Sequence, residues 1–181
     1  MFPRAIQQRS TIIVLALAMT ASVGSARLAA GLNNPVSADA ESPSEEPTNA
    51  EALDTRVKEL LAWAADKTGY SADCVKVTAL FVAPSTINLL AFGSDLNQAT
   101  VESLAVGSTI FLPIWFTIGE NDDILVHELT HVLQYENNAR FACVADQERE
   151  AYITAAAFSD ETGIGVKPSR LFMSQLRCNP Y

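Results

Sequence analysis

His127-Glu128-Leu129-Thr130-His131 contains both histidines of this 181-residue chain, four positions apart. On an α-helix, positions i and i+4 stack on one face, so both imidazoles can reach a single metal ion. The pattern calls for a helix here and for a second element to complete the ligand set. Glu128 sits beside the first imidazole, where it can take a proton from a metal-bound water. The rival reading is two ordinary helix histidines beside a solvated glutamate. Having all the chain's histidine in this one pattern favours the metal.

The flanking sequence supports the helix. Gly119-Glu120-Asn121-Asp122 is turn chemistry with Asn121 as a good N-cap, and the helix is expected from about Asp122 to Tyr135, stopped by Asn137-Asn138. Ile124, Leu125, Leu129, Val132 and Leu133 supply its buried surface. A second helix is expected from about Ala145 to Ser159, closed by Gly163. Upstream, Leu53, Val57, Leu60, Leu61 and Ala64 recur at helical spacing, with a capping box at Thr48–Glu51 and an end near Gly69. Cys74–Ala83 and the apolar run Ile87–Phe92 are expected as strands, and Gln98–Leu104 as a short helix. Ser108–Phe116 is rich in β-branched and aromatic residues and also reads as a strand. Pro113 within it argues for an edge position, because proline cannot donate to a ladder. The tail around Pro168, Leu171, Phe172 and Cys178 is expected to form a short helix packed on the domain. The fold class that follows is α+β: a small sheet with an edge strand lining a cleft, packed on the histidine helix and the helix after it.

The first residues have the character of an export signal. Arg4 and Arg9 precede an apolar stretch from Ile12 to Val23, and Gly24-Ser25-Ala26 is a plausible cleavage site, with Val36-Ser37-Ala38 a weaker one. The apolar stretch is shorter than the ~20 residues of a spanning helix. The expected division is a leader over residues 1–26, an acidic, proline-rich linker over 27–47 and one domain over 48–181. Loss of residues 1–26 removes Arg4 and Arg9 and no acid, so the formal charge of −9 becomes −11. Such a chain does not suit nucleic acid or anionic membrane surfaces. Contact with a membrane is expected only through an uncleaved leader. The destination implied is periplasmic or extracellular, where one disulfide among Cys74, Cys143 and Cys178 is the default, with all three pairings open.

Catalytic zinc sites usually take three protein ligands and leave one position open. No third histidine exists, so a carboxylate, a cysteine or another group must serve. The following helix offers Glu148 and Glu150, which lie ~200° apart around a helix axis and cannot both face one metal. The bland alternative for Glu150 is an exposed partner of Arg149 or Lys167. Tyr135 and Tyr152 read first as packing residues, though a tyrosine can also donate a hydrogen bond to an oxyanion. Trp115 and Phe116 read first as sheet core.

His127-Glu128-Leu129-Thr130-His131 followed by Glu150-Ala151 resembles the gluzincins, the thermolysin-like clan of zinc peptidases, over roughly residues 108–160. That clan carries an HExxH helix, a third glutamate ligand on the next helix and a strand lining the substrate cleft. The resemblance implies Zn²⁺ held by His127, His131 and Glu150, with Glu128 as general base. It also implies a peptide or protein substrate lying along Ile110–Phe116. Thr154 stands where thermolysin-like enzymes carry an aspartate supporting the site. The metzincin pattern is excluded, because Gln134 and Asn137 occupy the places of its glycine and third histidine. The function expected is zinc-dependent peptide hydrolysis. The alternatives are a metal-binding or protein-interaction module without turnover, or an amidase acting on cell-wall peptides. The sequence leaves the oligomeric state open.

Overall fold

The computed structural model describes residues 49–92 and 101–178. The expected leader and linker, and the first three residues of the expected Gln98–Leu104 helix, lie outside them. The order of elements is α1 (Asn49–Thr68), β1 (Thr78–Val82), α2 (Pro84–Phe92), β2 (Leu104–Val106), β3 (Thr109–Pro113), α3 (Asp122–Glu136), α4 (Val144–Thr162) and α5 (Arg170–Gln175). This is an α+β arrangement: a three-stranded mixed sheet and five helices among the described residues. None of those helices is long and apolar enough to cross a membrane.

The helical half follows from its periodicity. Leu53, Val57, Leu60, Leu61 and Ala64 form the buried stripe of α1. They meet Leu125, Leu129, Val132 and Leu133 of α3 and Ile110 and Leu112 of β3 in one apolar core. Burying a Leu-sized side chain contributes about 1.5–3 kcal/mol, so this cluster dominates the stability of the fold. Arg56 of α1 adds a directional tie. Its guanidinium reaches the fully buried Asp122 at the start of α3 with contacts of 2.6 and 2.8 Å. Asn121 occupies the N-cap position of α3, but its side chain accepts from the Thr117 amide at 3.0 Å instead of capping the helix.

The sheet departs from expectation in two ways. The strand order is β1-β3-β2, so β3 is central, parallel to β1 and antiparallel to β2. Pro113 therefore does not mark an edge. It is the last residue of β3, paired with Val82 on one side, and the β2 pairing has already ended at Phe111 on the other. A proline is tolerated where no neighbouring strand asks for its missing N–H. Both faces of β3 are covered: Ile110 and Leu112 enter the main core, while Phe111 packs on a second cluster of Ile87, Val101 and Leu104.

Second, Ile87–Phe92 is not a strand but most of α2. Pro84 opens this helix, where its fixed φ suits the first turn and its lost N–H is unneeded. A short apolar run has no period that separates a buried strand from a buried helix, so proline's position decided it. Residues 101–103 are irregular, and Leu104, expected at the end of a helix, begins β2.

A disulfide joins Cys143, the N-cap of α4, to Cys178 beyond α5, and Cys74 is free and exposed. The bridge ties the tail to the loop that connects α3 and α4. The C-cap of α4 is Gly163 at φ 75°, as its position after the last buried residues requires.

Candidate metal centre

α3 has two faces of opposite chemistry. One carries Leu125, Leu129, Val132 and Leu133 into the core, the other turns His127, His131 and Gln134 toward α4, and Glu128 reaches toward the start of β2. The histidine spacing does what helical geometry requires. Both Nε2 atoms converge, 3.1 Å apart, on imidazoles whose side chains are 14% and 10% exposed.

The third group is Glu148. Its two carboxylate oxygens lie 3.4 Å from His127 Nε2 and 3.4 Å from His131 Nε2. Glu150 does not face the imidazoles. Its carboxylate accepts from the Tyr70 hydroxyl at 2.8 Å and from the Gln134 amide at 2.9 Å. The two glutamates thus exchange the places expected of them. The cause is the rotation of α4 about its own axis. Glu148 shares a stripe with Ala151, Ala155 and Phe158 at i+3, i+7 and i+10, and that stripe is buried. Glu150 falls off it. The apolar members of that stripe are visible in the sequence, but only the packing of α4 on α3 shows which glutamate beside it meets the imidazoles.

His127, His131 and Glu148 can hold a metal ion. Zinc takes N and O ligands at ~2.0–2.2 Å in a tetrahedron, whose ligand atoms then lie ~3.3–3.5 Å apart. The two Nε2 atoms are 3.1 Å apart and each has one of the two Glu148 oxygens at 3.4 Å, close to that spacing. The donor chemistry also fits, with two imidazoles and one carboxylate. Among the described residues His127 Nδ1 is buried without a hydrogen-bond partner, so no hydrogen bond at that nitrogen fixes the ring. The Tyr152 ring lies against it at 4.4 Å between centroids, and Phe172 of α5 lies against Tyr152 at 4.9 Å.

Without a metal, His131 and Glu148 form a charged pair. Burial disfavours protonated His131, but Glu148, Glu128 and Gln134 outweigh it and hold its pKa at about 9. Burial likewise opposes the charge on Glu148, yet hydrogen bonds and attraction from His127 and His131 keep its carboxyl far below the usual range. Burial, reinforced by Glu148, Glu128 and Glu102, pushes the Tyr152 hydroxyl well above its ordinary value, so it stays a donor at any physiological pH. Burial and the hydrogen bond to Glu150 raise Tyr70 to about 12.

Glu128 is 5% exposed and accepts from the Ser103 hydroxyl at 2.6 Å. Ser103, just before β2, and Gln134, one turn past His131, are site residues that the sequence did not single out. The signal for Gln134 was its i+3 spacing from His131. Ser103 had none, because its contact is 25 residues away in the chain. Tyr135 is exposed, whereas Tyr152 borders the site. Phe116 joins the core and Trp115 lies half in solvent. A second cluster, Cys143, Asp146 and Cys178, offers no thiolate because its sulfurs are bonded to each other. No protein family, no curated protein and no solved structure matches this chain.

Proposed function

We propose that this protein is an exported zinc-dependent hydrolase of peptide bonds, with a gluzincin-like site reduced to a small domain. The observation that carries the proposal is the convergence of His127 Nε2, His131 Nε2 and the Glu148 carboxylate beside the buried Glu128. His127, His131 and Glu148 hold the zinc. Zinc bound there supplies Lewis acidity, polarising a carbonyl and lowering the pKa of water.

Glu128 acts as general base on the attacking water and then as general acid toward the leaving amine. Ser103 fixes one oxygen of Glu128, so the other carries the proton. Tyr152 keeps its proton and donates to the developing oxyanion. An extended substrate runs beside β2, the edge strand that Ser103 leads into, instead of beside β3. The leader at residues 1–26 and the disulfide both suit an oxidising destination outside the cytoplasm.

The test is cleavage of a diverse peptide library by the zinc-loaded protein beside Glu128→Gln. Turnover is expected to fall about 10²–10⁴-fold in the variant while zinc stays bound. Undiminished turnover in Glu128→Gln would refute the mechanism. Zinc binding without cleavage by the wild type would point instead to a binding module.

A further inference from the structure

We infer that Gln134, Glu150 and Tyr70 form a positioning relay that fixes the hydrogen-bond polarity of His131 and so presents its Nε2 lone pair to the metal. This rests on the metal centre proposed above and gives Glu150 a role other than ligation.

The polarity follows from donors and acceptors. The Tyr70 hydroxyl donates to Glu150 Oε2 at 2.8 Å. A carboxylate only accepts, so the partner 2.9 Å away on the same oxygen must be the Gln134 amide nitrogen. That nitrogen also donates to the Gln147 carbonyl at 3.1 Å, where a carbonyl oxygen would find no donor. Two acceptors therefore lock the amide in one orientation and aim Gln134 Oε1 at His131 Nδ1, 2.8 Å away. An amide oxygen accepts only, so Nδ1 carries the hydrogen and Nε2 is left to coordinate. Outer partners of this kind set the ring's tautomer and raise its basicity toward a metal.

The relay is anchored at both ends. Gln134 is 2% exposed, so water does not compete for its amide. Tyr70 is held by the loop after α1, where Gly69 turns at φ 75°. The next residue, Ser71, exchanges two hydrogen bonds with Asn137 at the end of α3, 3.0 Å from its amide and 2.9 Å to its carbonyl. Among the described residues His127 has no counterpart, since its Nδ1 finds no partner there. The two imidazoles are thus positioned by different means, one by hydrogen bonding and the other by Tyr152.

The experiment measures Zn²⁺ affinity by chelator competition, together with the ring ¹H–¹⁵N signals of His131 in the zinc-loaded protein. It compares the wild type with Gln134→Leu, Tyr70→Phe and Glu148→Gln. Gln134→Leu is expected to weaken zinc about 10–100-fold and to abolish the slowly exchanging Nδ1–H signal. Tyr70→Phe, at a half-exposed site that tolerates the change, is expected to cost a few-fold and shift the same signal. Glu148→Gln is expected to weaken zinc while leaving that signal in place. Wild-type affinity and an unchanged Nδ1–H signal in Gln134→Leu and Tyr70→Phe would overturn the relay but leave the metal centre standing. A wild type that binds no zinc would overturn the centre, and the relay with it.

Discussion

The α3–α4 side and the sheet side of this molecule bury different things. Every buried polar or charged residue among those described lies on α3 or α4: Asp122, Glu128, Thr130, Gln134, Glu148, Thr154 and Ser159. The sheet and α2 bury only apolar side chains, and they leave Leu80, Phe81, Leu89, Leu90, Val106, Ile114 and Trp115 substantially in solvent. Burying an unpaired charge is costly, so charges persist inside only where each has partners. Asp122 has Arg56, Glu128 has Ser103, and Glu148 has the two imidazoles. The helix pair therefore buries the candidate metal ligands at a cost to stability, and the sheet side, among the described residues, has no buried polar side chains.

That contrast can be broken at points of decreasing effect. The largest is Glu148→Ala. Zinc affinity is expected to fall on the order of 10³-fold, one ligand's share of the ~10–16 kcal/mol of a structural site. Glu150→Ala in the same chelator competition is expected to lose far less, and equal losses would erase the distinction between the two glutamates.

Next comes Arg56→Ala, which leaves Asp122 buried without its partner. The expected loss is about 3 kcal/mol in denaturant unfolding, the low end for a broken buried pair because Arg56 is 28% exposed. A loss below ~1 kcal/mol would mean that water reaches Asp122.

A smaller effect comes from pH in the metal-free protein. The folded pKa of His131 is raised from 6.5 to about 9. Its contribution is therefore complete below pH 6.5 and is lost as pH rises through about 9. Zinc replaces that proton, so the loaded protein is expected to show no such decline over the same window. Parallel thermal melts from pH 6 to 10 compare the two forms.

The smallest effect is expected on the sheet side. Leu80→Ser, at a residue 44% exposed on β1, should change stability by no more than about 0.5 kcal/mol. A larger loss would show that β1's outer face is covered in the intact chain.

Legibility in the sequence divides along the same line. α1, α3 and α4 were readable because each buries a stripe with helical period, and stripe and period are local properties. The sheet side was not. An apolar run carries no period, so α2 passed for a strand. Pro113 was taken to mark an edge because nothing local reveals that β2 ends before reaching its level. At the site, His127, Glu128 and His131 were legible together, whereas Ser103 and Tyr70 reach their partners only across long stretches of chain.

What the sequence alone determined is the pair of imidazoles with a glutamate between them, since a four-residue spacing on one helix needs no other part of the protein. The tertiary structure decided which glutamate of α4 joins them. Both carboxylates were available within three residues, and only the burial of Ala151, Ala155 and Phe158 sets the rotation of α4 that turns Glu148 inward and gives Glu150 to Gln134 and Tyr70.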